Sequence, residues 1–341
     1  MKEQNAIPTA AALLFLYVLT ALTGCAPQQG AREARPTSDT IRAQPIRPNS
    51  AISEPVEVRI LDVGQGDAIL IRSAPAAGSA REEEHVALID AGPANRIVGQ
   101  LRALGVRHID LLLASHNHAD HIGGMDAILD SIPVRYYMDN GHPASTRIQQ
   151  RVLERVEAKG VVYLQPRRRT LTVGSARLHV LPAPEGARSD DQNNRSLTVR
   201  LEVGRFQALL PGDAETELLN RLLETGEVPR VDVLKAAHHG SRNGVTPAWL
   251  SRTRPHVVAI SLAENNSYGH PHERAMRYYC AGGRMVLRTD QEGDIIIRVD
   301  SAGTYTVQTE RNRTVAPPAE RGATTACSSY SAADTAAVEG R

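Results

Sequence analysis

The chain has 341 residues, 41% of them hydrophobic, and its 39 Lys and Arg nearly cancel its 38 Asp and Glu, leaving a formal charge of +1. That apolar content at that length supports a sizeable core and excludes a chain disordered throughout. A charge so near zero excludes nucleic-acid binding through a global basic field and leaves only a local groove for it.

Residues 10–22 form an apolar run too short for an ordinary membrane span, ending in Leu22-Thr23-Gly24-Cys25. Residues 1–24 read as a targeting leader that stands outside the fold. Its end resembles a bacterial lipoprotein cleavage motif, which implies that Cys25 carries a lipid. Residues 25–55, from Cys25 through a Pro-, Arg-, Gln- and Ser-rich stretch without apolar periodicity, read as a lipidated, flexible tether.

Residues 56–63 and 68–71 read as a hairpin about Gly64-Gln65-Gly66, and 85–89 as a third strand. Residues 97–104 have helical spacing and stop at Gly105, and 109–114 are a buried strand. A helix begins at 125–129, and 147–158 is an amphipathic helix ending at Gly160. Short strands follow at 161–164, 171–173 and 177–181, with the basic run 167–169 read as a solvated loop. Residues 196–203 and 206–210 form a hairpin around Gly204, and 215–223 a helix. Strands at 231–236 and 256–261, a helix at 273–279, and strands at 285–288, 295–299 and 304–307 complete the order. Residues 56–310 thus read as one α/β domain (α+β by some schemes) of two sheets face to face with helices outside. Residues 311–341 are polar and Ala/Ser/Thr-rich and read as a disordered tail, so Cys280 and Cys327 are expected to be free thiols.

Residues 115–124, SHNHADHIGG, place His116, His118, Asp120 and His121 within six residues at the end of a buried strand. Imidazole with carboxylate suits zinc, and also manganese or iron. His116 and His118, two apart on extended backbone, point the same way, while Asp120 and His121 reach a neighbouring position, so such a loop can face two cations. Asp213 follows the strand 206–210 and fits either a ligand or a helix N-cap. His238 and His239 end the strand 231–236.

The H-x-H-x-D-H pattern resembles the signature of the metallo-β-lactamase superfamily. The set LDVGQGDA, DAG, SHNHADHIGG, NNRSL, PGDA, LKAAHHGS and YGHPH, in that order over 56–308, is similar to the soluble hydrolase domain of the ComEC competence (DNA-uptake) proteins. The resemblance implies a single-domain, four-layered αββα sandwich with metals at one edge between the sheets. It also implies that His116 and His118 bind a first metal, that Asp120 and His121 bind a second, and that Asp213 bridges. One of His238 and His239 suffices for the second metal. His239 is preferred because it lies beyond the strand, and the other is left to orient substrate or to pack.

The chain departs from the broader pattern in one respect. Only His142 and His179 lie where a third first-metal histidine is usual, and both read as surface or core; Asn193 and Asn194 stand before the strand at 196 instead. An amide oxygen is the weaker zinc ligand, so the first site is expected to be loose and manganese is admitted beside zinc. Asp67 reads as acceptor for a ligand histidine or as a turn residue, and Asp62 and Asp90 carry a similar ambiguity. Lys235 reads as a phosphate contact or a surface charge, and Ser241 closes the segment on the other side of the histidine pair. His270 and His272 read as groups that hold substrate or protonate a leaving group, against a rigid Pro turn.

The expected function is metal-dependent hydrolysis of a phosphodiester, nuclease-like, with two divalent ions, zinc foremost and manganese second, making hydroxide available at neutral pH. Asp120 and His270 are the expected catalytic side chains. The expected partners are a phosphodiester such as DNA or a nucleotide and, through Cys25, a membrane, with no obligate protein partner. Ala26, where an Asp would signal inner-membrane retention, points to the periplasmic face of an outer membrane. A phosphorylcholine-esterase-like envelope hydrolase, a β-lactam or amide hydrolase, and a non-catalytic envelope-binding protein are the alternatives.

Overall fold

The computed structural model describes residues 56–75, 83–143, 146–186, 191–311 and 325–330. The leader, Cys25 and the tether lie outside the described residues. Among those described, no helix is long and apolar enough to cross a membrane.

The chain opens with β1 (Val56–Ile60), β2 (Ile69–Ser73) and β3 (His85–Ile89), then α1 (Arg96–Ala103) and β4 (Ile109–Leu113). The short α2 (Ala119–Ile122), α3 (Met125–Ser131), β5 (Val134–Met138), α4 (Arg147–Ala158) and β6 (Val162–Tyr163) follow. Next come β7 (Arg169–Val173), β8 (Ala176–Leu181), β9 (Thr198–Val203), β10 (Phe206–Leu210) and α5 (Thr216–Glu224). After β11 (Val233–Lys235) come α6 (Pro247–Thr253), β12 (Val257–Ile260), α7 (Glu273–Cys280) and β13 (Met285–Arg288). The short α8 (Thr289–Glu292) leads to β14 (Ile295–Val299) and β15 (Tyr305–Thr309).

These strands form an eight-stranded sheet ordered β15-β14-β1-β2-β3-β4-β5-β6 and a seven-stranded sheet ordered β13-β12-β11-β10-β9-β8-β7. Period-two alternation decides which side chains meet. Val58, Ile60, Ile71 and Leu113 of the first sheet and Leu178, Leu201, Phe206 and Val257 of the second share the inner core. The opposite faces are covered by helices. Leu70, Leu88 and Leu112 pack under Ile97, Leu101, Ile128 and Val152, while Leu209, Leu234 and Val258 pack under Leu218, Leu222, Trp249 and Tyr279. The result is the four-layered αββα sandwich that the sequence resemblance implied.

β3 to β6 run parallel, as do β10 to β13, while the other neighbours are antiparallel. Loops at the carboxyl ends of β3, β4, β10, β11 and β12 therefore open at one edge of the sandwich, a usual location for sites in open α/β sheets.

Four elements are absent from the sequence reading, the short α2 and α8 together with β5 and α6. β5 is rich in Val and Tyr, but Arg135 interrupts its short apolar run. α6 carries a start signal in Thr246-Pro247, where the Thr246 hydroxyl accepts the N–H of Trp249 and Pro247 takes the first turn. Arg169, expected in a solvated loop, opens β7 and is buried.

The free-thiol expectation is corrected. Cys280, at the end of α7, is bonded to Cys327, which sits in a 3₁₀ turn at Thr325–Cys327. Ala326 and Cys327 are buried against the α5–α7 layer, so this part of the expected tail is held to the domain. The composition of the tail hid a contact between residues 47 apart. Because the bridge closes that loop, Cys327→Ser is expected to cost about 2–4 kcal/mol in a denaturant titration; an unchanged midpoint would show the bridge to be inert.

Candidate metal centre

Two glycines let the site-forming loops approach each other. Gly66 has φ +137°, and a Cβ on it would lie 2.1 Å from the Asp120 carbonyl oxygen. With no side chain there, the turn lies against the histidine loop, and the Asp67 N–H donates to that carbonyl at 3.2 Å. Gly212 has φ +57°, and its Cβ would lie 2.9 Å from the Cβ and Oγ of Ser115. Its absence lets the loop after β10 bring Asp213 up to the loop after β4. His238 and His239 both adopt left-handed backbone, φ 48° and 52°, at a cost of about 1–2 kcal/mol per residue. The His238 N–H donates to the Gly212 carbonyl at 3.2 Å, and the Ser241 N–H donates to the His238 carbonyl at 2.7 Å.

Side chains converge on one carboxylate oxygen. Oδ2 of Asp213 lies 3.2 Å from Nε2 of His121, 3.5 Å from that of His239, 3.8 Å from that of His238 and 3.9 Å from that of His116. Oδ2 of Asp120 lies 3.3 Å from His239 Nε2 and 3.9 Å from His121 Nε2. Asp120, His121, Asp213 and His239 each offer an atom within 4.8 Å of the others. His116 Nε2 and His118 Nδ1 sit 3.0 Å apart beside this group. Asp213 is not a helix cap; Glu215 holds that position for α5.

Behind the imidazoles stands a layer of acceptors. His121 Nδ1 lies 2.8 Å from Asp90 Oδ2, and Asp90 is held by the N–H and hydroxyl of Ser115 at 2.7 and 2.8 Å. His116 Nδ1 lies 3.1 Å from the Ser115 Oγ. His239 Nδ1 donates to the Ser261 carbonyl at 2.9 Å and lies 3.3 Å from Asp67 Oδ1. Lys235 Nζ lies 2.8 Å from the same Asp67 oxygen. With Nδ1–H donated backwards, Nε2 of His121 and of His239 is the ring nitrogen that faces the centre. Asp67 and Asp90 also approach His121, but both are engaged with Lys235 or Ser115 and belong to this supporting layer.

Charge follows the geometry. Burial alone would lower both His121 and His239, yet Asp213 first, then Asp90 and Asp120 for the one and Asp67 and Asp120 for the other, lift them well above the ordinary imidazole value. Burial would raise Asp213, but His121 and His239 hold it well below the usual carboxylate range. Asp120 is held down by the same two histidines against its burial. His116 stays neutral, pressed down by burial and by His121.

The buried Nε2 of His121, Nε2 of His239 and Oδ1 of Asp213 have no partner in hydrogen-bond geometry. Buried polar atoms left so cost about 1–3 kcal/mol each. Inward-facing imidazole nitrogens and carboxylate oxygens fit a divalent cation that takes N and O ligands, zinc or manganese.

Four of the expected site residues stand elsewhere or act differently. Asp62 accepts the Gly64 N–H at 3.2 Å and faces Arg311 at 3.7 Å, away from the cluster. Asn194 gives its Oδ1 to the Leu218 N–H of α5 at 3.1 Å and its amide to Asp191, so its oxygen is spent on fastening a helix. Lys235 is 0% exposed and is neither a surface charge nor a phosphate contact; its amine serves Asp67 and the Ala236 carbonyl. Ser241 turns its Oγ to the Asn243 N–H and closes the histidine turn.

His270 is placed at the centre's rim, with ring centroids 5.5 Å from His238 and 6.3 Å from His239. Asn266 grips its backbone on both sides. Burial, then His238 and His239, lower it to about 4, so near neutral pH it lacks the proton that a leaving-group acid would donate. His272 accepts the Arg242 N–H through Nδ1. His179 is occupied by Thr170 and Glu202 on the second sheet, and His142 lends its carbonyl to Asn117 and Gln149. The sequence reading gave no role to Ser115, Asn117 or Ser261. Only the proximity of Ser115 and Asn117 to His116 could have signalled theirs.

The family model described as the Metallo-beta-lactamase superfamily matches residues 61–262, more than half of the chain. ComE operon protein 3 of Bacillus subtilis (strain 168) is 28% identical over 260 residues, covering 72% of this chain and 33% of that protein. Competence protein ComA of Neisseria gonorrhoeae gives the same identity and coverage, 28% over 260 residues, 72% and 33%. The chain therefore spans about a third of the length of these curated relatives. The metallo-beta-lactamase fold protein YhfI from Bacillus subtilis, a solved structure, has a TM-score of 0.46 at 13% identity, covering 72% of this chain and 99% of that one. With that family match on a sandwich whose edge gathers histidines and carboxylates from both sheets, the chain belongs to the metallo-β-lactamase superfamily, in its ComEC-like branch.

Proposed function

We propose that this chain is a metal-dependent phosphodiesterase acting on a nucleic acid or nucleotide. The observation that carries the reading is the convergence on Asp213 of donors from both sheets, several of them buried without a hydrogen-bond partner. Asp120, His121, Asp213 and His239, with His116 and His118 beside them, are the residues that would hold the cations. When bound there, divalent cations supply Lewis acidity and a hydroxide nucleophile near neutral pH, as in-line attack on phosphorus requires.

The protein's own groups do the positioning. The Asp120 side chain is 27% exposed, whereas those of His121, Asp213 and His239 are buried, so it is the carboxylate that meets an incoming water and accepts its hydrogen bond. His270 has a buried Nδ1 without a partner and, being neutral, can hold a substrate oxygen or hydroxyl. Tyr268, 61% exposed, stacks on His270 at 5.7 Å and 20°. An exposed aromatic beside a phosphate-cleaving centre offers a face for a nucleobase. One of the matched relatives is named a competence protein, which favours a nucleic-acid substrate over other phosphodiesters.

Purified domain lacking the leader, reloaded with zinc or manganese, is expected to cleave single-stranded DNA and bis-p-nitrophenyl phosphate and to leave a chromogenic cephalosporin intact. Turnover of the cephalosporin alone would overturn the reading. Tyr268→Ala is expected to raise KM for an oligonucleotide by roughly tenfold, since stacking is worth about 1–3 kcal/mol per base, and to leave KM for an abasic oligomer unchanged. Equal effects on both would remove the base platform.

The Cys280–Cys327 bridge supports an oxidising compartment, in keeping with the leader. Cys25→Ser is expected to move the protein from the membrane fraction to the soluble fraction of envelope preparations; retention in the membrane would refute lipid anchoring.

A further inference from the structure

We infer that His238 completes the first cation site, standing with His116, His118 and Asp213, and that Glu215 is its positioning carboxylate. The inference rests on the reading that the chain holds two cations.

The argument begins with a repeated arrangement. His121 has Asp90 behind Nδ1 and Asp213 before Nε2. His239 has Asp67 behind Nδ1 and Asp213 before Nε2. His238 repeats the distances, with Nδ1 3.2 Å from Glu215 Oε1, just outside hydrogen-bond geometry, and Nε2 3.8 Å from Asp213 Oδ2. A metal-ligating histidine commonly has a carboxylate behind its other ring nitrogen, which fixes the tautomer and makes the outward nitrogen more basic. Glu215 is itself steadied by the side-chain amide of Asn193 at 3.2 Å.

The backbone adds a second observation. A histidine that merely packed could take ordinary backbone, yet His238 and His239 are both left-handed, at φ 48° and 52°. Strain of this kind persists where the surroundings impose it and gathers at functional sites. Here it turns two successive imidazoles toward the same carboxylate oxygen, which an extended pair would not do, because neighbours on a strand face opposite ways.

The third observation is a shortage of donors elsewhere among the described residues. His116 and His118 need a further nitrogen or oxygen besides Asp213 to close a four-ligand shell. Asn194 is committed to Leu218, His179 to Glu202 and Thr170, and His142 lends only its carbonyl to the loop. His238 is the imidazole left at Asp213, and its side chain is 22% exposed, which places this site on the open side of the centre.

The test uses the leaderless protein, stripped with a chelator and titrated with cobalt(II), with bound equivalents and visible absorption as readouts. Wild type is expected to bind two equivalents. His238→Asn retains a residue that tolerates left-handed backbone and is expected to keep one tight equivalent and weaken the other by at least about 100-fold. Glu215→Gln is expected to weaken the same equivalent by about 10–100-fold and to leave the other untouched. Two unchanged equivalents in both variants would overturn the assignment of His238 while leaving the two-cation reading intact. A wild type that binds one equivalent or none would bring down that underlying reading, and this inference with it. Melting of the metal-free proteins serves as the folding control, and if His238→Asn does not fold, Glu215→Gln decides.

Discussion

Asp213→Asn is expected to abolish metal retention and hydrolysis together while leaving a folded chain. Its Oδ2 lies within 4 Å of the Nε2 atoms of four imidazoles, and the side chain is almost wholly buried. Asparagine preserves the volume but removes the charge that offsets His121 and His239. Cations contribute several kcal/mol to such transition states, which corresponds to a loss of roughly 10³-fold or more in kcat/KM. The backbone role survives, because the Asp213 N–H still donates to Ser196 Oγ. Metal content by mass spectrometry and turnover of bis-p-nitrophenyl phosphate check this; a variant that keeps both places the centre elsewhere.

The same residue sets a pH dependence. Without metal, His121 and His239 hold their protons well above the ordinary 6.5 despite burial, chiefly through Asp213. Cation uptake at neutral pH must therefore expel protons, and affinity must rise with pH. Calorimetry in two buffers of different ionisation heat should show that release in wild type and less of it in Asp213→Asn.

Lys235→Met carries the second large effect, on stability first and on the site through it. Burial alone would raise the Asp67 carboxyl; Lys235, then His239, outweigh burial and hold it at about 2 against an ordinary 3.8. A depressed carboxyl stabilises the fold above its unfolded value, and that contribution fades as pH falls from 3.8 towards 2. Removing the lysine leaves a buried charge uncompensated, at about 3–5 kcal/mol. The loss should begin at higher pH in the variant, because only His239 and His121 then oppose the effect of burial on Asp67. Adding Asp67→Asn should restore most of the stability but leave metal affinity low by about 10–100-fold, since His239 loses its anionic support. Full recovery of affinity in the double variant would reduce Lys235 and Asp67 to a purely structural pair.

The sequence was most legible where chemistry is local. His116, His118, Asp120 and His121 fall within six consecutive positions, so one loop announces itself without knowledge of the fold. Strand alternation and glycine stops located most elements to within a few residues, as for α4 and β13. What stayed hidden depends on distant neighbours. Lys235 reads as a surface charge until β11 is placed centrally in its sheet, where its amine finds Asp67 from a remote turn. Asn194 invited a ligand reading because its amide is generic, and only the position of α5 shows where the oxygen goes. The partner of Cys280 lay within a segment whose composition gave no hint of packing.

The first sheet and its loops supply Asp67, Asp90 and the 116–121 histidines, whereas the second supplies Asp213, His238 and His239. A cation shared by these donors rivets the two halves of the sandwich at one rim, while the inner core between them is apolar and a few hydrogen bonds, such as Ser175 N–H to Ser73 Oγ, tie them elsewhere. At a free-metal level one hundred times the dissociation constant, that rivet would add about 2.7 kcal/mol to folding. Chelation should thus loosen the amides along this rim before those of the far end, and amide exchange should register metal loss as a parting of the sheets from one side.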